Sequence, residues 1–239
     1  MKKSGSLFLS GMLVFLMGCC SGFVSAPVQR QVPFDEERQK QIELEKEMTV
    51  ALVKKDEDGI FSYCAAVWIA QGMLLTANHC VVDETPVIFY STQSDHKNKK
   101  VRMALVAAAD ESNDLALLLV DPSSEPQHPT INLSEDLEFS AGQEVDIIGH
   151  TVGYTWSYSH GNISAIRKDA LGPGEIKPGE VIQISAPVWM GNSGGGAFDT
   201  KGRFVGLCSW ISRRGPFLSF FIHRDSIKDF LIGKELPIP

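Results

Sequence analysis

Residues 190–196, Met-Gly-Asn-Ser-Gly-Gly-Gly, form a glycine-rich segment around a single serine, and the runs that flank them decide the fold class. A β-like run over 181–185 precedes the segment, and another over 196–198 begins at its last glycine. The nucleophilic serine of an α/β-hydrolase lies instead where a strand turns sharply into a helix. The position of Ser193 therefore argues against an α/β-hydrolase and favours a loop in an all-β protein.

Short β-like runs separated by turn residues continue on the N-terminal and C-terminal sides of this segment. Alternation of apolar and polar residues begins near Thr49, as expected for half-buried strands. Frequent short strands with turn signals between them predict a barrel or a sandwich. No period of roughly 20–50 residues repeats, which argues against solenoids and propellers. The other runs are 61–70, 73–76, 87–90, 101–107, 115–120, 144–149, 157–166, 204–210 and 219–222.

Helix-forming residues occur at the two ends of this β-rich region. Residues 34–47 are highly charged, and Asp35 and Glu36 suit a helix N-terminus. Because the apolar stripe is thin, residues 27–47 are predicted to be an exposed helix or tether in front of a folded domain over 48–239. A final helix is predicted over 225–232. His96, among lysines, is predicted to lie in an exposed loop.

The composition excludes several classes of protein. The chain has 239 residues, of which 44% are apolar and 21% are charged, as in a globular protein with a real core. These values argue against a disordered chain and a collagen-like fibre. The net charge of −7 and the lack of a basic stripe argue against a nucleic-acid binder.

The N-terminus resembles a bacterial export signal: two lysines followed by an apolar stretch over 7–17. One alternative is cleavage after Ala26, which makes 1–26 the signal peptide. The other is a lipobox, Leu-Met-Gly-Cys over 16–19, in which 1–18 is removed and Cys19 is acylated. An uncleaved anchor is the third alternative. All three predict a domain outside the cytoplasm that is secreted, periplasmic or attached to the membrane by a lipid.

Three segments supply a His, an Asp and a Ser in that chain order. Residues 75–80 read Leu-Thr-Ala-Asn-His-Cys, and residues 113–118 read Asn-Asp-Leu-Ala-Leu-Leu. An imidazole can take the proton of a serine hydroxyl, and a buried carboxylate can fix the imidazole tautomer. These roles suit His79, Asp114 and Ser193. Asp110 and Glu111 are rival acids, but an apolar strand begins directly after Asp114 and would bury its carboxylate.

Each residue alone also has a structural interpretation. His79 could be a core histidine, Asp114 a turn residue, and the glycine segment a mobile loop. The coincidence of all three in an exported all-β chain favours catalysis. The glycines around Ser193 let the backbone aim the amides of Gly191 and Ser193 at a single oxyanion.

These motifs resemble those of trypsin-like (chymotrypsin-fold) serine proteases, and within that group they are most similar to the HtrA/Deg type. The resemblance covers residues 48–232. It implies an all-β fold of two six-stranded antiparallel β-barrels with the site between them. It also implies that His79 is the general base, Asp114 its orienting acid and Ser193 the nucleophile.

The resemblance further implies where a polypeptide substrate binds. The substrate would add as a strand beside Ser209 and Trp210, and its side chain would enter a pocket walled by the segments around Ser193. Nothing acidic occurs in these segments, so cleavage after small or medium apolar residues is expected. No cofactor is expected, and no metal-ligand spacing is found. The expected substrate-binding residues are Pro187, Met190, Cys208, Ser209, Trp210 and Ser219.

Several features of the sequence differ from the pattern of the HtrA/Deg type or are added to it. Cys64 and Cys80 can form a disulfide outside the cytoplasm, as in digestive enzymes of this type, which leaves Cys208 as a buried thiol. Asn192 stands where digestive trypsins have an aspartate, so activation by a new N-terminus is not expected. HtrA proteins usually carry PDZ domains after the protease. None fits in this chain, so PDZ-based regulation is expected to be absent.

Two other functions are compatible with the same residues. A protease fold with a displaced oxyanion loop would bind unfolded chains or a partner without cutting them. An esterase could use the same triad. The oligomeric state is left open, since the sequence shows no trimer motif.

Overall fold

A computed structural model describes residues 35–239 except 58, 83, 85, 169–171, 173–178, 213–214 and 237. The predicted export signal, with Cys19 and its alternative cleavage sites, lies outside the described residues, as does the start of the predicted tether. None of the helices in the described part is both long and apolar enough to cross a membrane.

The described strands form two closed antiparallel barrels of six strands each, which confirms the predicted fold class. The first barrel has the strand order β1-β2-β3-β6-β5-β4, and the second has the order β10-β11-β12-β9-β8-β7. The strands of the first barrel are β1 (Thr49–Asp56), β2 (Gly59–Ala70), β3 (Met73–Thr76), β4 (Val87–Tyr90), β5 (Arg102–Asp110) and β6 (Leu115–Leu119). Those of the second are β7 (Glu144–Gly149), β8 (Ser157–Lys168), β9 (Glu180–Ser185), β10 (Gly196–Asp199), β11 (Phe204–Ile211) and β12 (Ser219–His223).

Alternation along the strands divides the apolar side chains between barrel interiors and the surface on which the barrels meet. In β1, Val50 and Leu52 belong to the core of the first barrel, whereas Ala51 and Val53 belong to a cluster shared with the second barrel. Successive strand residues point to opposite faces, so a strand buried on both faces needs a continuous apolar run. The sequence Leu-Ala-Leu-Leu in β6 is such a run.

The described helices are α1 (Glu36–Glu47), α2 (Gln93–Asn98) and α3 (Arg224–Gly233). The last confirms the predicted C-terminal helix and packs against β11 and β12. The helix α2 replaces the loop predicted around His96, although His96 itself is exposed. Thr92 caps α2 by accepting a hydrogen bond from the Asp95 amide at 3.1 Å. Six residues are too few to show a helical period.

The predicted N-terminal helix is confirmed as α1, which belongs to the same compact unit as the two barrels. Asp35 caps the helix by accepting hydrogen bonds from the amides of Glu37 and Arg38. Arg38 forms an ion pair with Asp146, which is buried in β7 of the second barrel. Glu45, near the other end of the helix, is also fully buried.

Burial gives Glu45 an unusual protonation state. Desolvation, together with the negative charge of Asp146, raises the pKa of Glu45 to about 8. The folded protein therefore holds a proton on this side chain at neutral pH, whereas the unfolded chain does not.

We expect Glu45→Gln to change how stability depends on pH. Between about pH 4.5 and 8 the folded wild type binds the extra proton, so its free energy of unfolding falls as pH rises through this window. The glutamine variant does not titrate, so its free energy of unfolding should gain on the order of 4 kcal/mol relative to wild type between pH 4.5 and pH 8. Urea unfolding at several pH values measures the difference. Glu43→Gln, an exposed change on the same helix, is the matched control, and a Glu45→Gln profile parallel to wild type would contradict the assignment.

Candidate active site

Strand pairing in the first barrel brings His79 and Asp114 together. In the register of β3 and β6, Thr76 lies opposite Ala116. The chain beyond Thr76 therefore meets the turn that precedes β6, where the Asn78 amide donates to the Asp114 carbonyl oxygen at 3.1 Å. His79 lies in the one-turn helix Asn78–Cys80 that follows β3.

The Asp114 carboxylate holds the histidine at two points. Its oxygens lie 2.9 and 3.0 Å from His79 Nδ1, and Oδ1 also accepts the His79 backbone amide at 3.0 Å. Asp114 is buried, whereas the His79 side chain is 44% exposed, so the other ring nitrogen can meet a ligand. Asp114 has φ 52°, a left-handed conformation that Asp and Asn adopt more readily than most residues. The rival Asp110 instead caps its own turn through Ser112 and Asn113.

Ser193 reaches this pair from the second barrel, on the loop between β9 and β10. Its carbonyl oxygen accepts the Ala65 amide of β2 at 2.7 Å and lies 3.7 Å from the Cys80 sulfur. The backbone of Ser193 thus rests against the residue that follows His79. Its neighbour Gly194 has φ 80°, and a Cβ there would lie 2.1 Å from the Ala65 carbonyl oxygen. Only glycine permits this close approach of the two barrels.

Ser209 links the two halves of the site in a way that the sequence did not reveal. Its hydroxyl donates to Asp114 Oδ2, and its carbonyl oxygen accepts the Ser193 hydroxyl at 3.5 Å. Within the described residues, no hydrogen bond joins the Ser193 hydroxyl to His79. Such bonds are often long before substrate binds and shorten in the complex.

The amides of Gly191 and Ser193 have fixed directions, because the carbonyl before each of them is held. The Met190 carbonyl accepts the Val152 amide at 2.8 Å, and the Asn192 carbonyl accepts the Gly195 amide at 2.9 Å. In a trans peptide the C=O and the following N–H point in opposite directions. In the described part of the chain neither amide has a backbone acceptor, so both are available to an outside oxygen.

The expected disulfide is confirmed: Cys64 of β2 is bonded to Cys80, with the Cα atoms 6.1 Å apart. These two sulfurs and His79 are the group of metal-ligand side chains found in the described residues, but both sulfurs are committed to each other. Cys208 is a free, buried thiol as predicted, and burial raises its pKa.

We expect the double variant Cys64→Ala with Cys80→Ala to unfold more easily by about 3 kcal/mol, the loop-closure value for this separation. Denaturant unfolding measures the change. Cys208→Ala, which leaves the disulfide intact, is the control. Equal unfolding free energies for the double variant and wild type would show that the cross-link does not stabilise the domain.

An apolar pocket of about 300 Å³ lies beside the serine loop. Of the residues expected to bind substrate, Pro187 lines it, whereas Cys208, Ser209 and Ser219 are buried and Met190 is 61% exposed. Trp210 is partly buried and stacks on Phe220. The pocket walls also include Val188, Trp189, Ile211, Phe217 and Leu218.

Paired barrels that bring a serine loop against a His–Asp pair define the class of chymotrypsin-like folds. The model of the trypsin-like peptidase domain matches residues 64–207, and the chain belongs to this family.

Curated relatives agree with the HtrA/Deg resemblance, and solved structures share the fold. A "probable periplasmic serine endoprotease DegP-like" of Pseudomonas fluorescens is 31% identical over 163 residues, which cover 67% of this chain and 32% of the relative. The chain thus spans about a third of that relative's length. The HtrA-type protease AlgW with a decapeptide superposes with a TM-score of 0.70 at 20% identity, covering 83% of this chain and 67% of AlgW. A serine endoprotease from Yersinia pestis superposes with a TM-score of 0.67 at 22% identity, covering 85% of this chain and 67% of the other. At these identities the structures support the fold.

Proposed function

We propose that the protein is a serine endopeptidase that works outside the cytoplasm. The observation that carries the proposal is the His79–Asp114 contact of 2.9 Å next to a serine loop, in which two amides have no backbone acceptor among the described residues. His79 takes the Ser193 proton as the hydroxyl attacks the peptide carbonyl, and Asp114 stabilises the imidazolium. The amides of Gly191 and Ser193 bind the oxyanion. The protonated His79 then passes its proton to the leaving amine, and water releases the acyl group from Ser193.

The shape of the site favours a polypeptide substrate bound as an extended strand. β10 pairs with β11 only from Phe204 to Leu207, so the last residues of β11 have an edge that β10 does not use. Strand addition there supplies main-chain hydrogen bonds that do not depend on sequence. The HtrA-type protease AlgW, which shares this fold, is described with a decapeptide, and a polypeptide ligand is proposed here as well. The apolar pocket favours an apolar side chain on the acyl side of the cleaved bond.

The location outside the cytoplasm rests on two observations. A disulfide persists in oxidising compartments, and the P. fluorescens relative is named as periplasmic. Secretion or acylation at Cys19 remains a prediction from the sequence.

The alternative function starts from the same contact: the Ser193 hydroxyl donates to the Ser209 carbonyl oxygen instead of His79. A serine that keeps this position with substrate bound would leave a protease fold that binds unfolded chains without cutting them. Hydrolysis of a reduced and alkylated polypeptide in ¹⁸O-labelled water distinguishes the two functions. An endopeptidase produces new carboxyl termini that carry the label, with Ser193→Ala as the negative control. Complex formation without labelled fragments would support the binding function and contradict the proposal.

A further inference from the structure

The imidazole of His150, at the end of β7, connects the two barrels. It is fully buried, and its Nε2 donates to the Val50 carbonyl oxygen of β1 at 2.9 Å. Its Nδ1 accepts the Trp156 backbone amide at 2.9 Å. A backbone carbonyl can only accept and an amide can only donate, so these partners fix a neutral ring with its proton on Nε2.

The environment of His150 keeps this ring neutral. Burial is the main cause that lowers its pKa to about 4; the hydrogen bond to the Val50 carbonyl opposes the shift, and the electrostatic effect of His96 adds to it. At neutral pH the tautomer of His150 therefore stays fixed.

The loop that His150 closes, residues 150–156, contacts the serine loop at three points. The His150 amide donates to the Gly191 carbonyl at 3.2 Å, and the Val152 amide donates to the Met190 carbonyl at 2.8 Å. The Thr151 hydroxyl donates to the Asn192 side chain at 3.1 Å. Since the Met190 carbonyl and the Gly191 amide belong to one planar peptide, the Val152 contact sets the direction of that amide.

This loop is held in an unfavourable conformation. Val152 has φ 51° and Trp156 has φ 52°, values that β-branched and bulky residues rarely adopt. Such backbone persists only where surrounding contacts enforce it. The imidazole supplies two of these contacts, one to β1 and one to the far end of the loop. The Trp156 ring adds a third by donating to the Thr49 carbonyl at 3.0 Å.

We propose that His150 is a positioning residue for the oxyanion hole, holding the 150–156 loop so that the Gly191 amide points at the developing oxyanion. The proposal rests on the proposed peptidase function. His150 contacts neither Ser193 nor the acid–base pair in the described structure, so its removal should weaken the chemical step and leave reversible binding unchanged.

The test compares inactivation of wild type, His150→Leu, His150→Gln and His160→Gln by a fluorophosphonate probe. For His150→Leu, the maximal rate kinact should fall by about 10²-fold, the scale of losing one oxyanion donor, while KI stays within about threefold. His150→Gln can still donate to the Val50 carbonyl, so its kinact should be about tenfold higher than that of His150→Leu. His160→Gln, on β8 and away from the loop, should match wild type.

The outcomes separate the two proposals. If wild type reacts with the probe and folded His150→Leu reacts with the same kinact, the positioning role is overturned and the peptidase function is not. A rise in KI with unchanged kinact overturns it too, since it assigns the residue to binding. If the leucine variant does not fold, His150→Gln decides, because kinact equal to wild type overturns the role. An unreactive wild type overturns the peptidase function together with this role.

Discussion

Ser193→Ala is expected to lower peptide hydrolysis by roughly 10⁶-fold, the scale seen when a serine protease loses its nucleophile. The loss should be chemical, because alanine keeps the contacts that shape the loop. The Ser193 carbonyl still accepts the Ala65 amide, and the Gly194 amide still donates to the Cys208 carbonyl at 2.7 Å. Release of fragments from an unfolded polypeptide measures the rate, and urea unfolding checks that the fold is unchanged.

Ser134→Ala is the matched control for that variant. In the part of the chain that the structure describes, the Ser134 hydroxyl donates to Asn132 of its own turn, so its removal should not alter hydrolysis. Hydrolysis by Ser193→Ala at the wild-type rate would mean that another group of the protein attacks the peptide, or that a contaminating protease cleaves it.

Asp114→Asn is expected to lower kcat by about 10⁴-fold while the fold persists. Asparagine suits the φ of 52° at this position, and its amide oxygen can still accept one hydrogen bond. Its NH₂ group, placed against His79 Nδ1, favours the tautomer with its proton on Nε2, which cannot accept the serine proton. Steady-state hydrolysis of a peptide ester and a peptide amide measures kcat for both reactions.

The matched control for Asp114→Asn is Asp110→Asn, which changes the rival acid four residues earlier. Asp110 bonds to Ser112 and Asn113 and makes no described contact with His79, so kcat should stay near wild type. A loss in Asp110→Asn as large as in Asp114→Asn would show that the orienting acid has been misassigned.

The strands and the segments that carry His79, Asp114 and Ser193 could be predicted because each leaves a local signal, whereas the arrangement as two barrels was implied by the family resemblance. Alternation marks the strands, and the apolar run after Asp114 marks a buried turn. The pairing of β3 with β6 that unites His79 with Asp114 was not predicted, since periodicity does not specify which strands pair.

Other parts of the site leave no such signal. The Ser209–Asp114 contact joins residues 95 positions apart, and nothing near Ser209 indicates it. The hydrogen bond from the Val152 amide to the Met190 carbonyl joins backbone atoms, which every residue type has. Glu45 is buried in a helix whose composition predicts exposure, because α1 packs against β1 and β7. In each case the decisive interaction comes from tertiary packing.

The most direct test of the proposed chemistry is mass spectrometry of the purified protein after reaction with a fluorophosphonate probe. The expected result is a single adduct that maps to Ser193 and is absent in Ser193→Ala. No adduct on the folded, disulfide-bonded protein, or an adduct on another residue, would contradict the assignment of Ser193 as the activated nucleophile.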